Sequence, residues 1–303
     1  MHWRKLGQVF AGASGPDPAL LSHAALPVPY PLGGDLVRVF YSGRDANNRS
    51  AVGSVVIRLG DQPKVEEADP RPVLLPGAPA TFDDAGVSIG CIVPGPDGDR
   101  LYYMGWNLSR SMPWRNAIGV AFGNAAQARF EQRFAGPVLD RAPQDPFTLS
   151  YPCVLNPAPG DWRLWYGTSP SWSDDPAEMY HGLRTATSCD GLNWKRAEAL
   201  CLPPEAPEVA LLRPSVLALP QGGYEMYFSA RSATGPYVVG RALSDDGEAW
   251  QRVPAGISPG AEPWESGSLA YPAVFEQAGR RWLLYNGRGY GATGFGLAVW
   301  EAG

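Results

Sequence analysis

The amino-acid sequence predicts an all-β domain, a five-bladed β-propeller built from four-stranded antiparallel blades. Three observations predict this fold. One unit of about sixty residues recurs five times along the 303-residue chain. Aromatic residues are plentiful and the turn-forming residues Gly and Pro are frequent, which favours short strands over helices. Asp-Gly turns separate predicted strands, and four-stranded sheets repeated radially form a propeller.

Each copy of the repeat opens with an apolar strand and reaches a small residue fifteen positions after its second residue. The five copies open at Leu26-Pro27, Ile89-Gly90, Tyr151-Pro152, Arg213-Pro214 and Tyr271-Pro272. The small residues are Ser42, Gly105, Gly167, Ser229 and Gly287. A small residue at one offset in every copy indicates a true repeat.

The third copy illustrates the four strands of a unit. They are predicted near residues 153–156, 162–166, 181–187 and 194–200. The turns at residues 188–191 and 244–247 each contain Asp-Gly and precede a Trp.

The two ends of the chain predict how the repeat closes. The last copy stops one strand short, and residues 2–6 resemble the fourth strands that contain Trp194 and Trp250. We therefore expect the N-terminal strand to complete the last blade, which removes an exposed sheet edge. The prediction is one domain over residues 1–303, closed as a ring.

Composition excludes several function classes. The net charge of -5 comes with no basic stripe, so we expect no nucleic-acid partner. We expect no membrane partner, because no apolar run has the length of a membrane span. Without an export signal, and with four singly placed cysteines, the chain is predicted to be cytoplasmic. The scattered histidines predict no metal site, and no cofactor is expected.

Polar residues gather at two places in the repeat that face one end of a propeller channel. These are the starts of first strands and the loops between second and third strands. Residues at these places should line one funnel. The predicted ligand-binding residues are His23, Arg44, Asp83, Trp106, Asn107, Asp145, Tyr151, His181, Arg213, Arg231, Tyr271, Asn286 and Tyr290.

Carboxylates in the same funnel are the candidates for catalysis. Asp45, Asp84 and Glu265 are predicted catalytic residues, because glycosidic cleavage needs one carboxyl as acid and another as base or nucleophile. Aromatic rings stack on the CH faces of a sugar, and the arginines favour an anionic group on the ligand. The alternative for Asp45 is a cap of its loop, and for Asp84 a cap of the strand start.

Two sequence motifs carry no function here. Residues 86–90 match the nucleophile-elbow pattern but lead into a strand instead of a strand-to-helix turn. Residues 289–294 match a dinucleotide fingerprint but precede a strand, with no βαβ unit around them.

Several segments resemble a known family. They are Ser22-His23-Ala24, Ser42-Gly43-Arg44-Asp45, Phe82-Asp83-Asp84-Ala85-Gly86-Val87, Asn116-Ala117-Ile118-Gly119, Ser150-Tyr151-Pro152-Cys153-Val154-Leu155, Arg213-Pro214-Ser215-Val216 and residues 285–291. Over essentially the whole chain they are similar to bacterial five-bladed propellers of the arabinanase, levansucrase and invertase type. The nearest subgroup is labelled glycoside hydrolase family 43-like and tends to accompany polysaccharide or secondary-metabolite biosynthesis.

The resemblance implies acidic residues on the inner strands of the first three blades. Here the second blade supplies Asp84, whereas the first offers His23 and the third offers Ser150 and Tyr151. Asp45 and Asp145 are near enough in the repeat to substitute, and Glu265 lies across the funnel.

Three functions stay open from the sequence. The first is a carbohydrate-active enzyme resembling glycoside hydrolases, acting on a sugar or glycoside. The second is a non-hydrolytic binder of a sugar or sugar-like intermediate, or a tailoring enzyme of a biosynthetic pathway. The third is a protein-interaction propeller, which predicts an apolar channel and a large exposed apolar patch.

Overall fold

A computed structural model describes residues 2–12, 17–110, 112–172 and 179–301. In this part of the chain the structure is almost entirely β, and its helical element is a 3-10 turn at Gly289–Gly291. The first ten strands are β1 His2–Phe10, β2 Ser22–Gly33, β3 Leu36–Arg44, β4 Ser50–Arg58, β5 Lys64–Ala68, β6 Gly86–Val93, β7 Asp99–Asn107, β8 Arg115–Asn124, β9 Arg129–Gln132 and β10 Leu149–Ala158. The others are β11 Asp161–Trp172, β12 Met179–Ser188, β13 Lys195–Arg196, β14 Glu208–Ala218, β15 Tyr224–Ser232, β16 Val238–Ser244, β17 Gln251–Val253, β18 Ala270–Gln277, β19 Arg280–Asn286 and β20 Phe295–Glu301.

The strands pair as five antiparallel groups of four. Four groups are consecutive in sequence: β2 to β5, β6 to β9, β10 to β13 and β14 to β17. The fifth contains β18, β19 and β20 with the N-terminal strand β1 at its edge, where Trp3 lies opposite Trp300. Single parallel bridges, Ser50 with Gly86 and His181 with Ala210, join the first group to the second and the third to the fourth. Hydrogen bonding thus gives sheets of eight, eight and four strands, and none of them closes on itself within the described residues.

The apolar core lies between neighbouring groups. The first strands of the groups pack in the order β2, β6, β10, β14, β18, and β18 packs against β2 again. Each of five buried clusters joins one group to the next. Representative members, in chain order of the groups, are Phe40 with Leu101, Tyr102 with Leu164, Trp165 with Phe228, Tyr227 with Leu283, and Trp282 with Val39. Burial of these large side chains supplies the main favourable free energy of folding.

The small residue of the repeat lies where one group meets the next. The Ser42 hydroxyl accepts a hydrogen bond from Ile89 N at 2.9 Å, and the Ser229 hydroxyl accepts one from Tyr271 N at 2.7 Å. A Cβ at Gly167 would lie 2.4 Å from Ser150 Oγ. The position is therefore kept small by a hydrogen bond to the following first strand at the two serines, and by contact with the first strand of its own group at Gly167.

Asn286 performs the same task between the last group and the first. Its Oδ1 accepts from Leu26 N at 2.8 Å, and its amide donates to Ala24 O at 2.8 Å and Gly294 O at 2.7 Å. The side chain is fully buried. The sequence pattern predicts Asn286 as a ligand-binding residue, but these three bonds satisfy its carbonyl oxygen and both amide protons.

The predicted Asp-Gly turns are present between the third and fourth strands of two groups. Asp190 Oδ1 accepts from Leu192 N and Asn193 N, each at 2.8 Å. Gly191 has a φ of +72°, and its carbonyl accepts from the Tyr102 hydroxyl of the preceding group at 2.9 Å. Glycine is required because a Cβ there would lie 2.7 Å from that hydroxyl.

We predict that Asn286→Ala lowers the free energy of unfolding by about 3 kcal/mol or more, because it leaves several buried backbone groups unpaired. Equilibrium urea unfolding measures this. Asn47→Ala, in an exposed loop, is the matched control and should change stability by less than about 0.5 kcal/mol. Equal effects of the two variants would contradict the role given to Asn286.

Candidate functional site

The first strands carry residues in a left-handed backbone conformation near their starts. Leu26, Tyr151, Arg213 and Tyr271 have φ values of 57°, 48°, 55° and 54°, and each precedes Pro. The pairing register shifts at these points, so each forms a β-bulge. A positive φ is costly for a bulky residue, and such residues cluster at functional sites. Equivalent bulges thus bring residues of the repeat together at one end of the first strands.

Arg213 crosses from the fourth group to the first two. Its Nη1 donates to Gly90 O at 2.7 Å and its Nη2 donates to Pro27 O at 3.3 Å. The residue is 2% exposed, and burial lowers the pKa of its guanidinium. No carboxylate among the described residues forms an ion pair with it. The charge is held by backbone carbonyls, with the Nε atom left unpaired.

Four tyrosine rings form a continuous chain, and two of them, Tyr151 and Tyr271, interact electrostatically with Arg213. Tyr151 lies 5.6 Å from Tyr271, Tyr271 lies 6.1 Å from Tyr237, and Tyr237 lies 6.1 Å from Tyr290, between ring centroids. Burial raises the pKa of Tyr151, Tyr237 and Tyr271, so these phenols remain protonated hydrogen-bond donors at neutral pH. Tyr290 at the end of the chain is 58% exposed.

Tyr237 is a member of this group that the sequence pattern did not predict. It lies between β15 and β16, in the same class of loop that predicted Arg231. The Arg231 guanidinium lies 5.9 Å from its ring centroid. A Tyr just beyond a predicted funnel arginine, after Gly235 and Pro236, was the available signal.

Two histidines lie near the predicted funnel arginines Arg44 and Arg231, and each is held through Nδ1 by a serine. His23 Nδ1 lies 2.9 Å from Ser22 Oγ, and His181 Nδ1 lies 3.1 Å from Ser169 Oγ. Burial and the charge of Arg44 lower the pKa of His23. Burial and the charge of Arg231 lower the pKa of His181 to about 4. Both imidazoles are therefore neutral at pH 7.

Glu265, a predicted catalytic residue, is buried, and both of its carboxylate oxygens accept hydrogen bonds. Its Oε2 accepts from Lys5 Nζ at 2.5 Å and from Gly260 N at 2.6 Å, and its Oε1 accepts from the Tyr285 hydroxyl at 3.0 Å. Only 2% of its side chain is exposed. The carboxylate ties the N-terminal strand to the last group, which is a structural arrangement.

Asp145 is the most heavily paired acid of the predicted site. It forms ion pairs with Arg184 at 3.0 Å and Arg196 at 2.9 Å, and it accepts from Tyr166 and Thr168 hydroxyls at 2.7 Å. It is fully buried. Removing one partner of such a buried pair is strongly destabilising, so these contacts stabilise the third group.

Asp83 is also a buried acid that accepts several side-chain hydrogen bonds. It accepts from the Tyr103 hydroxyl at 2.9 Å, Gln132 Nε2 at 2.8 Å and the Thr81 hydroxyl at 2.8 Å, and it is 2% exposed. In four groups, therefore, a buried acid accepts a hydrogen bond from a tyrosine of the second strand; in the fourth group Glu225 accepts from the Tyr227 hydroxyl at 3.3 Å.

Asp45 and Asp84 are the two more accessible acids. Asp45 caps its loop: Oδ1 accepts from Asn47 N and Arg49 N at 2.8 Å, and Oδ2 pairs with the Arg49 side chain at 2.8 Å. Asp84 is half-buried just before the start of β6, and its Oδ2 accepts from Ala80 N at 2.9 Å. Asp84 thus has fewer hydrogen-bond and ion-pair contacts than Asp45.

The second group contributes Trp106, Asn107 and Arg115 at the same strand ends. Trp106 Nε1 donates to Ser50 Oγ at 2.9 Å. Arg115 pairs with Asp140, and Asn107 lies opposite it in the β7–β8 register. All three are half-buried.

Other site types find little support. No set of three His, Cys, Asp or Glu side chains within the described ranges is arranged to hold a metal ion. No helix in the described part of the chain is long and apolar enough to cross a membrane. Two open grooves of ≈ 500 and ≈ 580 Å³ lie elsewhere, one lined by Asp140 and Trp194, the other by Trp3 and Ile257.

We predict an acid-sensitive stability that depends on His181. Its folded-state pKa of about 4 lies below the ordinary 6.5, so between these pH values the unfolded chain binds a proton that the folded chain does not. Lowering the pH from 6.5 to 4 should therefore cost the wild type about 3 kcal/mol more than His181→Gln. Urea unfolding across this range measures the difference, and parallel pH profiles would contradict the assignment.

The chain is similar in structure to glycoside hydrolases. A solved structure of a glycoside hydrolase superposes with a TM-score of 0.74 at 14% identity, over 99% of this chain and 92% of that one. The endo-arabinase of Bacteroides thetaiotaomicron gives 0.67 at 12% identity, over 93% and 95%. A thermostable family-43 glycoside hydrolase gives 0.65 at 13% identity, over 94% and 90%. These likenesses show a family 43-like glycoside hydrolase fold.

Sequence comparison identifies close relatives. No family model matches the chain. Two proteins of Mycobacterium tuberculosis, the uncharacterized protein MT1551 of strain CDC 1551 / Oshkosh and the uncharacterized protein Rv1502 of strain ATCC 25618 / H37Rv, are each 43% identical over 304 residues, covering 99% of this chain and all of theirs. The chain therefore belongs to the same protein family as these two mycobacterial proteins.

Proposed function

We propose that residues 1–303 form one five-bladed propeller, closed by the N-terminal strand. Five groups of four strands, five clusters between successive groups and the packing of β18 against β2 support this arrangement. The Asn286 hydrogen bonds join the last group to the first as Ser42 joins the first to the second. In this arrangement the bulged first-strand starts lie around one end of the channel.

We propose that this end of the channel is a funnel that binds a sugar or glycoside with an anionic group. The observation that carries the proposal is the chain of tyrosine rings beside arginines that have no carboxylate partner among the described residues. The funnel is formed by His23, Arg44, Tyr151, His181, Arg213, Arg231, Tyr237, Tyr271 and Tyr290.

The chemistry of this lining suits a carbohydrate. The rings offer apolar faces for the CH groups of a sugar, and the protonated phenols donate hydrogen bonds to its hydroxyls. Guanidinium groups bind carboxylate or phosphate bidentately. The glycoside hydrolase fold is consistent with a sugar ligand, although fold alone does not decide function.

The carboxylates argue against the usual pair of glycosidases. Hydrolysis of a glycosidic bond needs two carboxyl groups on either side of it. Glu265, Asp145 and Asp83 are buried with partners at both oxygens, and Asp45 caps its own loop. We therefore favour a binding protein, or a tailoring enzyme of another reaction class, that handles a biosynthetic sugar intermediate in the cytoplasm.

A second candidate is hydrolysis that uses Asp84. This residue stands at the start of a first strand, is partly accessible and accepts a hydrogen bond from the backbone of Ala80. The fold of the structural neighbours also favours this reaction.

We predict that Tyr290→Ala weakens sugar binding about three- to tenfold, because one stacking face is lost. Because Tyr290 is exposed, the variant should fold normally. Calorimetric titration with glucose 1-phosphate, galacturonate and glucose measures the affinities. Phe134→Ala, an exposed aromatic that packs on Phe122, is the control and should bind like the wild type. Unchanged affinity in Tyr290→Ala would contradict the placement of the ligand.

The two candidates differ in their response to Asp84→Asn. A binding protein should release no 4-nitrophenol from the 4-nitrophenyl glycosides of arabinose, xylose or galactose, and its affinities should be unchanged by the substitution. A hydrolase should turn over at least one of them and lose about a hundredfold or more of that rate in Asp84→Asn, since general acid–base catalysis contributes that much. Turnover that depends on Asp84 would replace the first candidate by the second.

A further inference from the structure

Three residues form a row across neighbouring strands of the third and fourth groups. His181 on β12 lies opposite Ala210 on β14, and Ala210 lies opposite Arg231 on β15. Residues in register on adjacent strands point to the same face of the sheet. With strands about 4.8 Å apart, the backbones of His181 and Arg231 are roughly 10 Å apart, and the Ala210 methyl group stands between them in this row.

An equivalent row exists between the first and second groups, and it is bridged. There Ser50 lies opposite Gly86, which lies opposite Trp106. Trp106 Nε1 donates directly to Ser50 Oγ at 2.9 Å over the glycine. The row of His181, Ala210 and Arg231 has no such hydrogen bond between described residues. A hydrogen bond thus joins the outer two side chains of the row between the first and second groups. In the row between the third and fourth groups, the polar side chains of His181 and Arg231 face each other without such a bond.

The row of His181, Ala210 and Arg231 also carries a positive charge that no described carboxylate compensates. Arg231 forms no ion pair with a described carboxylate, and its Nε is buried without a hydrogen-bond partner. Its guanidinium lies over the Tyr237 ring, at the edge of the tyrosine chain. His181 is 7% exposed and fixed by Ser169. A partly exposed cation beside a neutral imidazole is an arrangement suited to an anion.

We propose that the row of His181, Ala210 and Arg231 binds the anionic group of the ligand, a phosphate or a carboxylate, between the guanidinium and the imidazole. The proposal rests on the proposed function in that the anion belongs to the sugar held by the tyrosines. Arg231 donates to two oxygens of the anion, and His181 meets it from the opposite side.

Proton uptake follows from this placement. Among the residues that the structure describes, the groups that face the His181 imidazole are the Ser169 hydroxyl on β11, the methyl of Ala210 on β14 and the Arg231 charge on β15. Arg231 disfavours the imidazolium, and an anion between the two compensates that charge. The bound anion therefore raises the pKa of His181, so that binding takes up a proton and strengthens as the pH falls.

The experiment is calorimetric titration of the full chain with sulfate, glucose 1-phosphate, galacturonate and glucose. Sulfate keeps its charge between pH 5.5 and 7.5, so any pH dependence of its binding belongs to the protein. Titration in two buffers of different ionisation enthalpy counts the protons taken up. The variants are Arg231→Met, Arg231→Lys, His181→Gln and the matched control Arg129→Met, which alters an exposed arginine of the outer strand β9.

We expect wild type to bind sulfate more tightly at pH 5.5 than at 7.5, with proton uptake. Arg231→Met should lose about ten- to a hundredfold in affinity for sulfate and glucose 1-phosphate, the contribution of hydrogen bonds to a charged group. Arg231→Lys should recover part of this loss, which separates charge from misfolding. His181→Gln should bind without proton uptake, and Arg129→Met should match wild type. Tighter binding of glucose 1-phosphate than of galacturonate would identify phosphate as the anion, and the reverse would identify a carboxylate.

Sulfate binding that is absent, or that Arg231→Met leaves unchanged, would overturn the inference. Proton uptake that persists in His181→Gln would overturn the role of His181. If glucose binds through Tyr290 but no anion depends on Arg231, the proposed sugar site stands and the anion site fails. If sulfate depends on Arg231 but glucose 1-phosphate gains nothing over sulfate from Tyr290, the anion site stands and the sugar site fails.

Discussion

The structure depends on hydrogen bonds that join the ends of second strands to the first strand of the following group. The short side chains of Ser42 and Ser229 each accept a backbone hydrogen bond from the next group. Asn286 provides the same contact between the last group and the first. Because these contacts are made beside the bulged strand starts, they also fix where Tyr151, Arg213 and Tyr271 lie. A larger side chain would separate the groups and displace the candidate site with them.

Charge is distributed unevenly around this frame. Carboxylates such as Asp145 and Glu265 are buried within the groups, where arginine, lysine and tyrosine partners compensate the cost of removing them from water. Arg213 is buried too, but it is held by backbone carbonyls and keeps its charge uncompensated among the described residues. The chain as a whole is acidic, yet the lining of the proposed funnel is basic and aromatic. This separation favours an anionic ligand there.

A glycoside hydrolase fold with a changed set of polar residues is an instance of one scaffold carrying different chemistry. The positions where the resemblance implies acids in the first and third groups of strands are taken by His23, Ser150 and Tyr151. Neutral imidazoles and protonated phenols donate and accept hydrogen bonds but repel no anion, whereas carboxylates would. The absence of acids at these positions and the arginines without a described carboxylate partner both favour an anionic ligand in the proposed funnel.

The sequence by itself determined the all-β class, the repeat, the Asp-Gly turns and the strand ends where polar residues gather, because these are local patterns of residue type and spacing. It also placed Arg213, Tyr151, Tyr271 and the two histidines at those ends. Only the tertiary structure decided which of the acids at those ends already have ion-pair or hydrogen-bond partners. Glu265 meets Lys5 across 260 residues and Asp145 meets Arg184 from another strand, so spacing along the chain could not assign their partners. The same reason hid the row of His181, Ala210 and Arg231, since its members come from three strands that only the packing of two groups brings into register.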